Sequence, residues 1–308
     1  MNHTHRTLSV DSNACIGCGI CTSVCPFGVL ILEEGRPRLD PDKHCLKCLH
    51  CAAACPREAI LFGGERASVA AAAVPAAYLP AEYSAVDSAA PTDAAGLAET
   101  AGSSEAAGQT GPAGLTGLSP EFVSQLAVHL AGRRSYRHFT GDPVDRRLLE
   151  EAAALADFAP SAKNQHPAGW IIVNSREKAR EIMELVLSHV RETGVSPEIL
   201  SEYESGNNVV MGTASTLILG YCRDTAVNPP VDTALALSVM ELYLQARGVG
   251  TCWAGYLTRL ANASPDLRRL LNLPEGSLFY GALMAGYPSE ESYLRVPVRT
   301  KPAPVTWL

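Results

Sequence analysis

The chain has 308 residues, 47% of them hydrophobic, enough for two domains with separate cores. With 32 acidic against 25 basic residues the formal net charge is −7, which gives no support to nucleic-acid binding, where a basic surface is the usual footprint. Residues 1–10 carry no apolar run of the kind an export signal needs, and the apolar stretch 67–77 is short, alanine-rich and broken by Pro75, so no transmembrane segment is expected.

The first element in chain order is a doubled cysteine run: Cys15, Cys18, Cys21, Cys25-Pro26, then Cys45, Cys48, Cys51, Cys55-Pro56, each cysteine of the second copy 30 positions after its counterpart. This is the run of bacterial iron–sulfur proteins, in which three thiolates wrap one cube and the fourth cysteine ligates the other cluster. By that rule Cys15, Cys18, Cys21 and Cys55 hold one [4Fe–4S] cluster, and Cys45, Cys48, Cys51 and Cys25 hold a second. Structural zinc is the alternative, but zinc sites usually space cysteine pairs by a longer excursion. Disulfides between thiols so crowded would be strained. The apolar runs that follow each proline, Phe27 to Ile31 and Ala59 to Phe62, supply the dry cover that tunes and protects a cluster. Residues 1–62 resemble a two-cluster bacterial ferredoxin built by duplication, and such centres imply a reducing cytoplasm.

Composition changes after Phe62. Residues 63–118 are dominated by Ala, Gly, Ser, Thr and Pro, with hardly any large aliphatic side chains, and cannot bury enough surface to offset chain entropy. They read as a disordered linker whose r.m.s. reach is on the order of 40 Å. Such a tether holds the cluster domain near its target at an effective concentration on the order of millimolar, so fixed docking is not required.

Order is expected to resume at Ser119-Pro120, an N-cap followed by proline at the first helical position, with Phe122, Leu126 and Leu130 at helical spacing and Gly132 as the stop. A second helix is expected over about 144–158, a loop over 159–167, a strand at 170–173, a long helix over 175–193, a buried strand at 215–222, a helix over 232–247 and a strand at 277–285. Helices mixed with central apolar strands indicate an α+β, layered α/β/α domain over 119–308.

Four segments in order then carry a resemblance: Arg133-Arg134-Ser135-Tyr136-Arg137-His138-Phe139, Ala159-Pro160-Ser161-Ala162-Lys163-Asn164-Gln165-His166-Pro167, Gly248 to Gly255, and Gly286-Tyr287-Pro288 running on to Arg299. Together they resemble the landmarks of the nitroreductase family, and the whole chain resembles a ferredoxin–nitroreductase fusion. The resemblance implies an FMN held at a homodimer interface with residues from both subunits around it. It assigns the phosphate to Arg133, Arg137 and Arg299, whose forked guanidinium groups suit a dianion. Arg134 and Ser135 match positions at the phosphate, ribityl chain or ring edge. Ser161, Asn164 and His166 match the segment that hydrogen-bonds the ring edge, with His166 where many members carry glutamine. A backbone N–H of Gly255 or Tyr256 is placed near flavin N5, where it would steady negative charge. No side chain in these segments reads as a nucleophile or dedicated general base, so the chemistry belongs to FMN.

Clusters carry single electrons, and a flavin accepts them singly and delivers two. The first reading is therefore an FMN oxidoreductase with a cluster inlet, reducing a nitroaromatic, quinone or activated alkene. Two others stay open: an electron-transfer flavoprotein serving a redox protein, and an NAD(P)H-dependent nitroreductase beside a non-catalytic cluster domain. No partner membrane or nucleic acid is expected.

Overall fold

The computed structural model of the protein describes residues 8–45, 47–66, 69–71, 120–289, 295–297 and 304–308. Arg299 and most of the span read as linker lie outside the described residues. The described residues within 1–70 and 133–308 belong to one compact unit, and those within 71–132 to another.

The N-terminal part contains β1 (Leu8–Val10), α1 (Ile20–Ser23), β2 (Leu30–Glu33), β3 (Arg36–Leu39), α2 (His50–Ala54), β4 (Ile60–Phe62), β5 (Glu65–Arg66) and β6 (Val69–Ala71). Strand β1 lies antiparallel to β4, with Leu8 opposite Phe62, and β4 pairs onward with β5. β2 and β3 form a hairpin whose two turn residues, Glu34 and Gly35, both have positive φ, the geometry that matches strand twist. Leu8, Val29, Leu30, Ala52, Ala59 and Ile60 close a small core around Cys21, Cys51 and Cys55. β5 and β6 fall inside the span read as linker, so ordered structure continues past Phe62.

Local geometry in this part recurs at an offset of 30 residues. The Val29 amide donates to Cys25 Sγ at 3.3 Å and the Ala59 amide to Cys55 Sγ at 3.2 Å. The Gly17 and Lys47 amides donate in the same way to Cys15 and Cys45, each at 3.4 Å. Left-handed backbone occurs at Gly17, Gly19, Gly28 and Glu34, and again at Lys47, Leu49, Glu58 and Gly64.

In the second compact unit α3 (Pro120–Gly132) starts and stops where proline and glycine dictate, and leaves Phe122, Leu126 and Leu130 47%, 41% and 47% exposed. The remainder of the first unit comprises α4 (Arg146–Ala156), a short turn at Ala162–Asn164, β7 (Gly169–Asn174), α5 (Arg176–Thr193), α6 (Glu198–Glu204), β8 (Thr216–Arg223), α7 (Pro229–Ala246), β9 (Gly250–Trp253), α8 (Gly255–Ala263), α9 (Pro265–Leu270), β10 (Ser277–Gly286) and β11 (Arg295–Pro297). Asp145 caps α4 by accepting from the Arg147 amide at 2.9 Å, and Ser175 caps α5 by accepting from the Lys178 amide at 3.3 Å. Helix α7 begins three residues ahead of the expected Asp232, because Pro229 and Pro230 occupy first-turn positions where a missing N–H costs nothing. α6, α8, α9 and β9 were not expected from the sequence.

The sheet runs β7-β8-β10-β9, antiparallel throughout, and β11 pairs with β6. Strand β8 is buried on both faces. Leu217 and Leu219 join one core with Ile182, Val186 and Val190 of α5, whereas Ile218 joins another with Leu149 of α4 and Leu237, Met240 and Leu244 of α7. β10 divides likewise, Ala282 and Met284 against Leu283 and Ala285. Successive side chains on opposite faces thus feed two helical layers, which is the expected α/β/α arrangement.

The cluster part is also fastened directly to this layered part. Lys43 Nζ lies 2.7 Å from Glu202 Oε1, and Asn207 Nδ2 donates to the Pro26 carbonyl at 3.3 Å. A tether without fixed docking is therefore not what the structure shows. Among the described residues no helix is long and apolar enough to cross a membrane.

Candidate active site

Four of the eight motif cysteines, Cys15, Cys18, Cys21 and Cys55, line one cavity, with Val10, Ile16, Pro37 and Ile60 as apolar wall. Burial, and then the neighbouring Cys55, Cys15 and Cys18, push the Cys21 thiol up to about 11. Cys51 is raised further still, by burial first and then by Cys48, Cys25 and Cys45. Cys55 of the second copy thus lines the same cavity as Cys15, Cys18 and Cys21 of the first. Neighbouring sulfurs, of which Cys21, Cys51 and Cys55 are buried, disfavour one another as thiolates, and a cationic centre is what resolves that repulsion. The donor set and its apolar wall fit an iron–sulfur cube.

Three of the four remaining motif segments meet. The Tyr136 amide donates to the Thr251 carbonyl at 2.8 Å, which lays the arginine segment beside β9. Phe139 bridges to Pro288, and the Thr140 amide donates to the Tyr287 carbonyl at 2.9 Å. Helix α7 fixes the segment from behind. Glu241 Oε1 takes Arg133 Nη1 at 3.2 Å and the Thr251 hydroxyl at 3.2 Å. Gln245 Nε2 donates to the Arg134 carbonyl at 2.9 Å and to Thr251 Oγ1 at 2.8 Å.

The arginines differ in what they have left to offer. Arg133 is already ion-paired with Glu241. Arg134 is 3% exposed, its Nε donates to the Tyr136 hydroxyl at 3.1 Å, and its Nη1 has no hydrogen-bond partner among the described residues. A buried guanidinium N–H without an acceptor is costly unless a ligand oxygen completes it, so Arg134 fits an anion such as a phosphate. The Arg137 carbonyl accepts from the Thr213 amide at 3.1 Å. Burial raises the Cys252 thiol, and the charge of Arg137 and a hydrogen bond from Ser135 oppose the rise. Crowding by protein raises the Cys48 thiol too, and Arg137 is again among the groups that pull it down. The charge of Arg137 is thus felt both at Cys252 of β9 and at Cys48.

The fourth segment is an exposed loop with left-handed backbone at Lys163, Asn164 and His166. Ser161 Oγ accepts from the His166 amide at 2.9 Å, and the His166 ring and Asn164 side chain hydrogen-bond at 2.8 Å. The Ala162 amide is held at 2.9 Å by Asp232 Oδ1, a buried carboxylate whose Oδ2 has no partner among the described residues. Asp232 and Gln245 lie thirteen positions apart on α7, about 20 Å at the helical rise. One helix thus anchors the Ser161 loop near its start and the arginine segment near its end.

Helix α8 begins at Gly255, and its N-cap Ala254 offers no side-chain acceptor to the first amides. The Gly255 and Tyr256 N–H groups are thus first-turn donors without an intrahelical acceptor. A Cβ built on Gly255 meets only the Trp253 ring, at 3.7 Å, so no protein group requires glycine there. The vacant side suits a flat ring against the backbone. Tyr256 turns its hydroxyl to Glu198 at 3.1 Å, and burial, then that hydrogen bond, raise its phenol.

The sequence pointed to neither Glu241 and Gln245 nor Asp232, which hold these segments in place. Their only signal is polar character on a helix that is otherwise apolar.

A layered α/β/α domain that presents buried guanidinium and open helix-start amides, joined to a cysteine-walled domain, defines a flavin-type oxidoreductase with an iron–sulfur module. The nitroreductase family profile matches residues 130–287 and the 4Fe-4S dicluster profile matches residues 7–56. The chain belongs to the nitroreductase family and is a ferredoxin–nitroreductase fusion, a flavin oxidoreductase with a 4Fe-4S ferredoxin domain. It is 26% identical over 159 residues to a putative NADH dehydrogenase/NAD(P)H nitroreductase of Archaeoglobus fulgidus, covering 52% of this chain and 83% of that protein. Its N-terminal part is 46% identical over 56 residues to an uncharacterised ferredoxin of Methanocaldococcus jannaschii, covering 17% of this chain and 73% of the relative. A nitroreductase with bound FMN from Bacteroides fragilis superposes at a TM-score of 0.49 with 19% identity, over 59% of this chain and 95% of that one.

Proposed function

We propose that this FMN-dependent oxidoreductase takes low-potential electrons through two [4Fe–4S] clusters and reduces a small acceptor, a nitroaromatic, quinone or activated alkene. The observation that carries the reading is the direct contact of the cysteine-bearing part with the layered part, Lys43 to Glu202 at 2.7 Å and Asn207 to the Pro26 carbonyl at 3.3 Å, with the charge of Arg137 felt at both Cys48 and Cys252. Cys15, Cys18, Cys21 and Cys55 would hold the first cluster, and Cys45, Cys48, Cys51 and Cys25 the second. The backbone geometry repeated at 30 residues supports a duplicated ferredoxin.

FMN, when bound, supplies the conversion between single electrons and a hydride equivalent. The chain's own residues bind, orient and stabilise. Arg134, with its open Nη1, and Arg137 hold the phosphate with Arg299, while Arg133 serves largely to brace Glu241. Ser135 meets the ribityl side. The amide of Gly255 or Tyr256 would donate to the ring at N5. Ser161, Asn164 and His166 contact the polar ring edge, and their stand about 20 Å along α7 from the arginine segment supports their supply by a second subunit of a homodimer. The exposed apolar stripe of α3 supports the same assembly. Proton delivery falls to water or substrate, in a reducing cytoplasm, and NAD(P)H is a second electron source at the same flavin.

The test is anaerobic reduction of bound FMN, followed by absorbance, in the full chain and in Cys51→Ala. A low-potential one-electron donor is expected to reduce the flavin faster in the native protein, with NAD(P)H-driven reduction equal in both. Equal rates from the one-electron donor would remove the clusters from the path.

A further inference from the structure

We infer that Lys43, Glu202 and Asn207 form a docking lock that seats the ligand-bearing segments of the second cysteine set on the flavin domain. The partner of this surface is the chain's own ferredoxin part. Lys43 lies two positions before Cys45, and Pro26 directly follows Cys25. Both points of contact thus belong to stretches that carry the second set.

The contact is built on both sides. Glu202, at 17% side-chain exposure, presents one oxygen to Lys43 Nζ at 2.7 Å and the other to Asn207 Nδ2 at 2.6 Å. Asn207 is held in turn, its backbone N–H donating to the Glu202 carbonyl at 2.8 Å while its side-chain amide also reaches the Pro26 carbonyl at 3.3 Å. Lys43 lies across Gly28, where a Cβ would come within 2.8 Å of its amine, so the absence of a side chain there clears the path to Glu202. Glu202 and Asn207 lie at the end of α6 and just beyond it, an element otherwise spent on packing Ile199. A half-buried ion pair shared with a carboxamide is more than a screened surface contact. It fixes the stretches that carry Cys45 and Cys25 against the end of α6.

This inference rests on the reading of the clusters as the electron inlet, and its test separates the two. Anaerobic holoprotein treated with a water-soluble carbodiimide is expected to yield a Lys43–Glu202 cross-linked peptide by mass spectrometry. Mixing isotope-labelled and unlabelled chains shows whether the bond lies within one chain. Glu202→Lys and Lys43→Glu should each raise hydrogen exchange over residues 26–29 and 205–209. Each should also slow the portion of flavin reduction that Cys51→Ala abolishes, by on the order of tenfold, with FMN content unchanged. The double swap should restore both. No cross-link within one chain, or exchange in Glu202→Lys equal to native, overturns the lock; unchanged cluster-dependent reduction overturns its part in electron delivery. If Cys51→Ala has no effect on the rate, the inlet reading fails, and the cross-link and exchange still decide the lock.

Discussion

Replacing Gly255 with alanine should move apoprotein stability and flavin affinity in opposite directions. In the protein alone the new methyl meets nothing closer than the Trp253 ring at 3.7 Å, an ordinary contact, and the residue opens helix α8. Alanine in place of glycine at a helical position with compatible backbone is worth about 0.5 kcal/mol, in part through the unfolded chain. For a domain of this size that raises the melting temperature by ~1–2 °C. A flat ring lying against the Gly255 backbone has no room for the methyl and must retreat by about an ångström, which lengthens the hydrogen bond from the amide beyond useful range. Loss of one such bond to a charge-bearing ring edge corresponds to about 1.5 kcal/mol, or roughly tenfold in Kd. The assay is thermal melting of the flavin-free protein beside fluorescence titration with FMN. Unchanged FMN affinity with raised stability would refute the placement of the ring on this helix start.

Three further outcomes are expected. Gly212→Ala would place a Cβ 2.1 Å from the Arg137 carbonyl at a φ of +58°, so chemical denaturation should show a loss of about 2–3 kcal/mol together with lowered FMN occupancy. Cys25→Ser should strip the cluster carried by Cys45, Cys48 and Cys51, lowering iron content by about half; selective loss of the first cluster instead would reverse the pairing. The Tyr243 hydroxyl, with Arg147 and Arg247, holds the Glu151 carboxyl below its ordinary value. Its stabilisation is therefore present at neutral pH and lost as pH falls through the lowered folded value, so urea melts of Glu151→Gln and native protein should differ at pH 7 and converge in acid.

The cysteine sets were legible in the sequence because their information is local: steps of three fix three corners of a site, and the repeat supplies the fourth. Helices α4 and α5 were legible through apolar spacing, Ile182, Met183, Val186 and Val190 marking one face. Strand β9 was not, since four residues between glycines carry no periodicity. Asp232, Glu241 and Gln245 were hidden for another reason. Each acts on a segment that α7 reaches only after the chain has folded, and the Gln245 contact to Arg134 spans 111 positions. The Lys43–Glu202 pair spans 159, and a composition that reads as a tether gives no hint of docking.

The two halves of the cluster domain are unequal in one respect. At four equivalent pairs of left-handed positions the first half carries Gly17, Gly19, Gly28 and one side-chain residue, Glu34, whereas the second carries Lys47, Leu49 and Glu58 with a single Gly64. Each residue with a Cβ in that conformation costs about 1–2 kcal/mol, so the second half holds roughly 2–4 kcal/mol more tension than the first. The strained half is also the one that Lys43 clasps to the flavin domain by an ion pair, whereas the first half meets that domain through the Pro26 carbonyl. Its shape is sustained from outside. A ferredoxin of this sequence cut free of its neighbour would therefore age asymmetrically, relaxing first around Cys45, Cys48 and Cys51 and leaving the Cys15, Cys18 and Cys21 side as the longer-lived remnant.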